Sequence, residues 1–222
     1  MTDRLLFERL LRENDIPLGP TQVDMLETYA TLLLEMNRSI NLISRRDTEH
    51  VWVAHLLHSL LPWRSVVLPQ EASVLDLGTG GGLPGIPLAI LRADLHVTLL
   101  DSVGKKTAAV EGFIRRLNLS RVSVVTGRAE ECSGVPDLAG AFDLVVARAV
   151  APLSDLVRWG LPFLRRDTGS WRPCLVAMKG GDVEEEIGRA RLRNAALHIE
   201  RVPLHLRGTD ALADKLMVLV RP

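Results

Sequence analysis

From residue 72 onward the sequence alternates between short apolar runs and amphipathic stretches, which constrains the fold more than any other feature. Seven runs rich in branched aliphatic residues predict β-strands at 73–77, 96–100, 122–125, 142–147, 175–178, 199–204 and 216–220. Helices are predicted at 84–91, 105–117, near residue 130, and at 153–164 and 184–195. Strands that alternate with helices usually pair in parallel and are covered on both faces. The pattern therefore predicts an α/β protein with a mainly parallel seven-stranded sheet and helices on both faces.

The residues before this region have helical periodicity instead. Thr2 is predicted to cap the first helix, and Thr21 to open the second with Asp24 as its capping-box partner. Asp47 is predicted to cap a third helix that ends at Pro62. These signals predict an N-terminal helical extension packed on the sheet.

Length and composition limit the class of protein. The 222 residues predict two units, a helical extension at 1–62 and a cofactor-binding α/β domain at 63–222. Charged residues interrupt the N-terminus, and no uncharged apolar stretch approaches the ~18 residues of a membrane span, so we expect neither a signal peptide nor a membrane anchor. Two cysteines are too few for a disulfide framework, which favours the cytoplasm. With 27 basic and 27 acidic side chains, binding to nucleic acid would require a local basic patch.

A glycine-rich segment, DLGTGGGLPG, follows the first predicted strand at residues 76–85. Its glycines fit the spacing of a cofactor-binding loop, in which the backbone approaches the ligand closely. Asp101 follows the second strand about 20 residues later, a position that suits binding of a ribose diol. Asp76 would repel a pyrophosphate but would attract the ammonium group and the cationic sulfur of S-adenosylmethionine. The sequence therefore favours S-adenosylmethionine over a nicotinamide dinucleotide.

Seven segments together resemble one known family. They are NLISRRD (41–47), HLLHSL (55–60), DLGTGGGLPGIPLAIL (76–91), TLLDSVGKK (98–106), GRAEE (127–131), FDLVVARAVAPL (142–153) and AMKGG (177–181). In this order they are similar to the bacterial ribosomal small-subunit RNA methyltransferase G family. The resemblance implies a Rossmann-like class I S-adenosylmethionine-dependent methyltransferase that modifies N7 of a guanine. It also implies that the partner is 16S rRNA or the small ribosomal subunit.

The resemblance also assigns residues to the site. Its cofactor contacts fall on Gly78, Leu83, Ala129, Glu130 and Arg148, to which the glycine-loop argument adds Asp76, Gly80 and Asp101. Arg148 ends the fourth strand, where a guanidinium could bind the methionine carboxylate or the RNA. The alternative for Arg148 is a surface ion pair with Glu130 or Asp143.

The predicted RNA contacts are Asn41, Arg46, His55 and Lys179. Within HLLHSL the chain departs from the expected pattern, because His58 stands where an acidic residue is expected and Ala54 where a basic one is expected. His55 and His58 share a helix face, but no third ligand has suitable spacing, so no metal site is expected. No catalytic base is expected either, because guanine N7 carries a lone pair and no proton.

Other functions compete with this one. Pro173-Cys174 could be the nucleophile pair of a cytosine C5 methyltransferase, although Cys174 opens an apolar run typical of a buried core residue. An enzyme that methylates another RNA or base position, a non-catalytic module that binds nucleotides or RNA, and a nicotinamide-dependent oxidoreductase remain as alternatives.

Overall fold

The computed structural model describes residues 2–166 and 171–222, and its centre is a seven-stranded sheet. The strands are β1 (Ser73–Leu77), β2 (His96–Asp101), β3 (Val122–Thr126), β4 (Leu144–Arg148), β5 (Cys174–Gly180), β6 (His198–Pro203) and β7 (Lys215–Arg221). Their order is β3-β2-β1-β4-β5-β7-β6. Strands β1 to β5 are parallel, whereas β7 is antiparallel to both β5 and β6. This mixed but mainly parallel sheet is the class I methyltransferase fold, as predicted.

Helices cover both faces of the sheet. Those in the α/β region are α4 (Gly85–Leu91), α5 (Gly104–Leu117), α6 (Ala129–Cys132), α7 (Leu153–Gly160) and α8 (Glu184–Arg193). Successive residues of a strand point to opposite faces. Accordingly Val74 belongs to a buried cluster with the N-terminal helices, α4 and α5, whereas Leu75 belongs to a second cluster with α7 and α8. The two clusters form one core on each side of the sheet.

The N-terminal region is helical, as predicted, but less regular than expected. It contains α1 (Asp3–Glu13), α2 (Pro20–Asn37), a 3₁₀ turn (Arg45–His50), a π-helical segment (Val51–Leu57), α3 (His58–Leu60) and a last 3₁₀ turn (Leu61–Arg64). Thr2 caps α1 as predicted, its hydroxyl accepting a hydrogen bond from the Leu5 amide at 3.3 Å. The predicted third helix is therefore four short helical pieces in succession.

The predicted start of α2 was wrong. The helix begins at Pro20, whose fixed φ suits a first helical position, and Gly19 is the residue before it. The side chain of Gln22, and not that of Asp24, accepts the Gly19 amide at 2.8 Å. Thr21 therefore lies inside the first turn, because proline takes the position that threonine was expected to open.

The predicted cap of the third helix was also wrong. Ser44 caps the 3₁₀ turn by accepting the Arg46 amide at 3.2 Å, and Asp47 lies within that turn. Pro62 follows the end of α3 at Leu60, as expected, although the helical path continues in the final 3₁₀ turn. Because Asp47 does not cap this turn, its carboxylate can face another side chain.

Polar contacts join the N-terminal helices to the α/β region. Gln22 donates to the carbonyls of Ile90 and Leu91 at 3.0 and 2.9 Å. Tyr29 is fully buried and donates to the carbonyl of Gly81 at 2.8 Å. The division at residues 1–62 and 63–222 stays a prediction.

No helix within the described ranges has both the length and the apolar character needed to cross a membrane.

Candidate active site

A pocket of about 340 Å³ opens at the carboxyl ends of the central strands. In open α/β sheets, ligands bind where neighbouring strands lead to opposite sides, as β1 and β4 do here. The pocket is lined by Leu77, Gly78, Leu100, Asp101, Ser102, Val103, Lys106, Gly127, Arg128, Ala129, Glu130, Ala149, Val150 and Trp159. It therefore brings together the ends of β1 to β4 with the segments that follow them.

The glycine-rich segment forms a tight loop at the edge of this pocket. Gly78, Gly80 and Gly82 have φ values of 73°, 57° and 96°, in the left-handed region that favours glycine. The amides of Gly78 and Thr79 donate to the carbonyl of Leu100 at 2.8 and 2.9 Å, which ties the loop to β2. A side chain added at Gly80 would meet only the carbonyl oxygen of Leu42, at 3.7 Å. The space beside the Gly80 backbone is therefore open, as a close approach by a ligand requires.

Both predicted carboxylates hold this loop. Asp76 is fully buried, and its Oδ2 accepts the Thr79 hydroxyl at 2.6 Å and the Gly85 amide at 2.8 Å. Its Oδ1 has no hydrogen-bond partner among the described residues, and burial raises the pKa of Asp76 to about 6. Asp101 accepts the amides of Gly80 and Val103, each at 2.9 Å, and also lines the pocket. Asp76 thus lies beneath the loop, whereas Asp101 lies at the pocket itself.

Arg148 ends β4 and turns toward the N-terminal region. Its Nη2 lies 2.9 Å from Nδ1 of His55, and its Nη1 lies 3.4 Å from the carbonyl oxygen of Ala54. Burial lowers the pKa of the Arg148 guanidinium, against the opposing effects of Tyr29, Asp76 and Asp47. The structure records no ion pair between Arg148 and Glu130 or Asp143 within the described ranges. The surface-ion-pair alternative is therefore not supported.

The eight predicted cofactor contacts fall into two groups. Gly78, Asp101, Ala129 and Glu130 line the pocket directly. Asp76, Gly80 and Leu83 belong to the glycine-rich segment, whereas Arg148 contacts His55 and Ala54 of the N-terminal region. A direct contact of each residue with the cofactor stays a prediction.

The predicted RNA contacts are divided in the same way. Asn41 and Arg46 are exposed and available to a ligand, whereas His55 is buried against Arg148. The ammonium of Lys179 donates to the carbonyl of Ala151 and to Glu186, both at 2.7 Å. Lys179 therefore holds the segment after β4 and does not point freely toward a ligand.

Two chemical alternatives can be tested against the same geometry. Cys174 is fully buried in the core, and desolvation raises the pKa of its thiol to about 11, which fits a core residue and opposes its use as a nucleophile. Across residues 2–166 and 171–222, no group of three or more histidine, cysteine or acidic side chains could hold a metal ion.

Sequence reasoning missed several residues that shape the site. Val150 covers the backbone of Gly78, since an added Cβ there would lie 2.7 Å from Val150 Cγ2. Ala149 has a φ of 55°, unusual for a residue other than glycine, and no sequence signal marks it. Lys106 and Trp159 also line the pocket. Lys106 belongs to the basic pair in TLLDSVGKK, so its position in the first turn of the helix that follows β2 is a signal that could have been used.

The comparisons with known proteins agree with the fold and with the family resemblance. The family model for rRNA small subunit methyltransferase G matches residues 22–211. The ribosomal RNA small subunit methyltransferase G of Chlorobium luteolum is 43% identical over 87% of this chain and 76% of the relative. The enzyme of the same name from Roseiflexus castenholzii is 35% identical over 99% of this chain and 92% of the relative.

Among solved structures, an O-methyltransferase from Bacillus cereus, in complex with SAH, matches with a TM-score of 0.56. It is 19% identical, and the match covers 93% of each chain, which supports the fold alone. The sequence relatives are far closer and span nearly the whole chain. This chain therefore belongs to the rRNA small subunit methyltransferase G family, whose members transfer a methyl group from S-adenosylmethionine to N7 of a guanine in 16S rRNA.

Proposed function

We propose that the pocket at the ends of β1 to β4 holds S-adenosylmethionine for methylation of guanine N7 in 16S rRNA. The observation that carries this proposal is the glycine loop. Three left-handed glycines shape this loop, Gly78 lines the pocket, and the space next to the Gly80 backbone is open. A nucleoside cofactor with an amino-acid end suits such a loop better than a bulky apolar ligand does, because the pocket wall also includes Asp101 and Glu130.

Asp101 has the donor and acceptor chemistry for a ribose. Each carboxylate oxygen accepts one backbone amide, and each keeps lone pairs for a further hydrogen bond. Ribose hydroxyls could therefore donate to Asp101 while the glycine loop stays in place. Arg148 makes two donor contacts with protein groups among the described residues, so it keeps N–H groups for the methionine carboxylate.

Bound S-adenosylmethionine would supply a methyl group on a positively charged sulfur. The N7 lone pair would form the new C–N bond while the electrons of the S–CH₃ bond passed to sulfur, so the positive charge would move to the guanine. No proton is removed from N7 in this step. The task of the protein is to align two reactants and exclude water, which can account for a large part of a rate enhancement.

The two buried histidines of the N-terminal region, His55 and His58, are consistent with a reaction that needs no base. Burial and the neighbouring Arg148 lower the pKa of His55 to about 4 and that of His58 to about 3, so both are neutral at physiological pH. His55 Nδ1 is occupied by Arg148, and both side chains are buried. We therefore assign no catalytic proton transfer to either residue.

RNA binding would depend on local positive charge because the chain has no net charge. Arg45 and Arg46 are exposed beside Asn41, and Lys105 is exposed at the start of α5. We propose that these residues contact the phosphates of 16S rRNA, either free or within a small ribosomal subunit. A cytoplasmic location follows from that substrate.

A decisive experiment exploits the chemistry of N7. The purified protein and labelled S-adenosylmethionine are incubated with 16S rRNA transcribed with guanosine or with 7-deazaguanosine, in which carbon replaces N7. We expect 7-methylguanosine in the first RNA, detected by nucleoside mass spectrometry, and no label in the second. A comparable label in the 7-deazaguanosine RNA, or another methylated nucleoside in the first, would contradict the proposed reaction.

A further inference from the structure

We infer that His55 is a positioning residue that orients the guanidinium of Arg148, and that Asp47 holds the imidazole in the required tautomer. The inference rests on the proposed function, because Arg148 is one of the proposed cofactor contacts. It changes the role of His55 from a contact of RNA to a support of the cofactor site. It also gives Asp47 a role that its sequence position did not suggest.

The hydrogen bond between the two side chains defines the tautomer. A guanidinium can only donate hydrogen bonds, so Nδ1 of His55, which lies 2.9 Å from Nη2 of Arg148, must accept. The neutral ring then carries its proton on Nε2. Nε2 lies 3.4 Å from Oδ2 of Asp47, and a carboxylate in this position stabilises the N–H group of the ring. The three side chains therefore form the series Asp47, His55, Arg148. Arg148 donates to Nδ1, whereas Nε2 faces the Asp47 carboxylate at 3.4 Å without a hydrogen bond of regular geometry among the described residues.

The backbone around His55 supports the same arrangement. His55 lies in the π-helical segment Val51–Leu57, a type of turn that is frequent at functional sites. The neighbouring carbonyl of Ala54 provides the second acceptor for Arg148. The Ser59 hydroxyl donates to the carbonyl of His55 at 2.7 Å, and the His55 side chain is buried. The imidazole is consequently held in place from both its backbone and its ring.

His58 makes this arrangement more important in the present chain. An acidic residue is expected at position 58, but the histidine there is buried, and the charge on Arg148 is one of the causes that lower its pKa. A neutral imidazole cannot balance that charge. Among the described residues, the hydrogen-bond acceptors of Arg148 are His55 Nδ1 and the Ala54 carbonyl. Loss of His55 would therefore remove the one side-chain acceptor that the described residues provide for a mostly buried guanidinium.

Two substitutions at position 55 separate positioning from packing. In His55→Asn the amide oxygen can take the place of Nδ1, whereas His55→Leu keeps apolar volume and removes the acceptor. We expect His55→Leu to weaken binding of S-adenosylhomocysteine at least about tenfold, because a buried charged donor loses its partner. His55→Asn should stay within about threefold of the unsubstituted protein by isothermal titration calorimetry. Equal affinities for the Leu variant and the unsubstituted protein, or equal losses in both variants, would overturn the inference.

A spectroscopic readout is independent of the cofactor. Nitrogen-15 NMR of the unsubstituted protein should show His55 with an unprotonated Nδ1 and a protonated Nε2 at neutral pH. Asp47→Asn, at a partly exposed position, should increase the fraction of the other tautomer without unfolding the protein. A protonated Nδ1 in the unsubstituted protein would refute the inference even if the position 55 variants did not fold. Absence of S-adenosylhomocysteine binding by the unsubstituted protein, with the expected tautomer present, would instead count against the proposed function.

Discussion

Replacing Gly80 with alanine should weaken cofactor binding by more than its effect on folding can explain. Gly80 has a φ of 57°, and an L-residue in that conformation costs about 1–2 kcal/mol. The new Cβ would meet only the Leu42 carbonyl oxygen at 3.7 Å, an ordinary contact, so no steric term is added in the ligand-free protein. The free energy of unfolding should therefore fall by about 1–2 kcal/mol, which for a chain of this length lowers Tm by roughly 2–4 °C per kcal/mol.

Gly181 provides a matched control. Its φ is 73°, and a Cβ added there would meet nothing within 4 Å. Gly181→Ala should therefore lose a similar amount of stability while the pocket is unchanged. The free energy of unfolding is measured by denaturant titration without ligand, and affinity for S-adenosylhomocysteine by calorimetry. We expect a loss of affinity of about tenfold or more for Gly80→Ala and less than about twofold for Gly181→Ala. Equal affinities in the two variants would refute the idea that the Gly80 backbone approaches the cofactor.

Three further predictions concern the supports of the site and the RNA surface. Lys179→Met should weaken S-adenosylhomocysteine binding severalfold, whereas Lys179→Arg should largely retain it. The reason is that the cation joins Glu186 to the segment that carries Val150. Equal calorimetric affinities of the two variants would contradict this. Burial raises the Asp76 pKa from 3.8 to about 6, so the folded protein binds this proton more tightly than the unfolded chain does. As pH rises from about 4 to 7, the free energy of unfolding should therefore fall by on the order of 3 kcal/mol relative to that of Asp76→Asn. A difference in unfolding free energy that does not change with pH would contradict this. RNA affinity in filter binding should fall steeply with salt, and an unchanged salt slope after removal of four basic charges would place the patch elsewhere. Those charges are on Arg45, Arg46, Lys105 and Lys106.

The central strands could be predicted well because β1, β4 and β5 bury residues on both faces of the sheet. The prediction for β1, residues 73–77, coincides with the observed strand, and its apolar residues enter the clusters on the two sides of the sheet. The helix caps were less predictable. Ser44 and Asp47 are both capable caps within a short polar run, and local sequence does not decide which one is used.

The polar contacts of the site were beyond sequence reasoning for a different reason. The hydrogen bond between His55 and Arg148 joins residues 93 positions apart. The motifs placed both residues near the ligand, but could not show that one satisfies the other. Lys179 was expected at the ligand because it lies at the end of β5, and only the packing of α8 brings Glu186 close enough to bind it. Position along a strand therefore predicts proximity to the site, whereas the partner of each charge depends on long-range packing.

The N-terminal helices contribute to the cofactor site through hydrogen bonds that fix the glycine loop and Arg148. Tyr29 of α2 donates to the Gly81 carbonyl of the glycine loop. Asn37, at the end of the same helix, accepts the amides of Leu42 and Ile43 at 2.8 and 2.9 Å, beside that loop. The π-helical segment supplies His55 to Arg148. If alignment is the main source of catalysis, rigidity of the loop and of Arg148 matters more than any titrating group. The helices before the sheet are then part of the catalytic unit, because they hold both the glycine loop and Arg148.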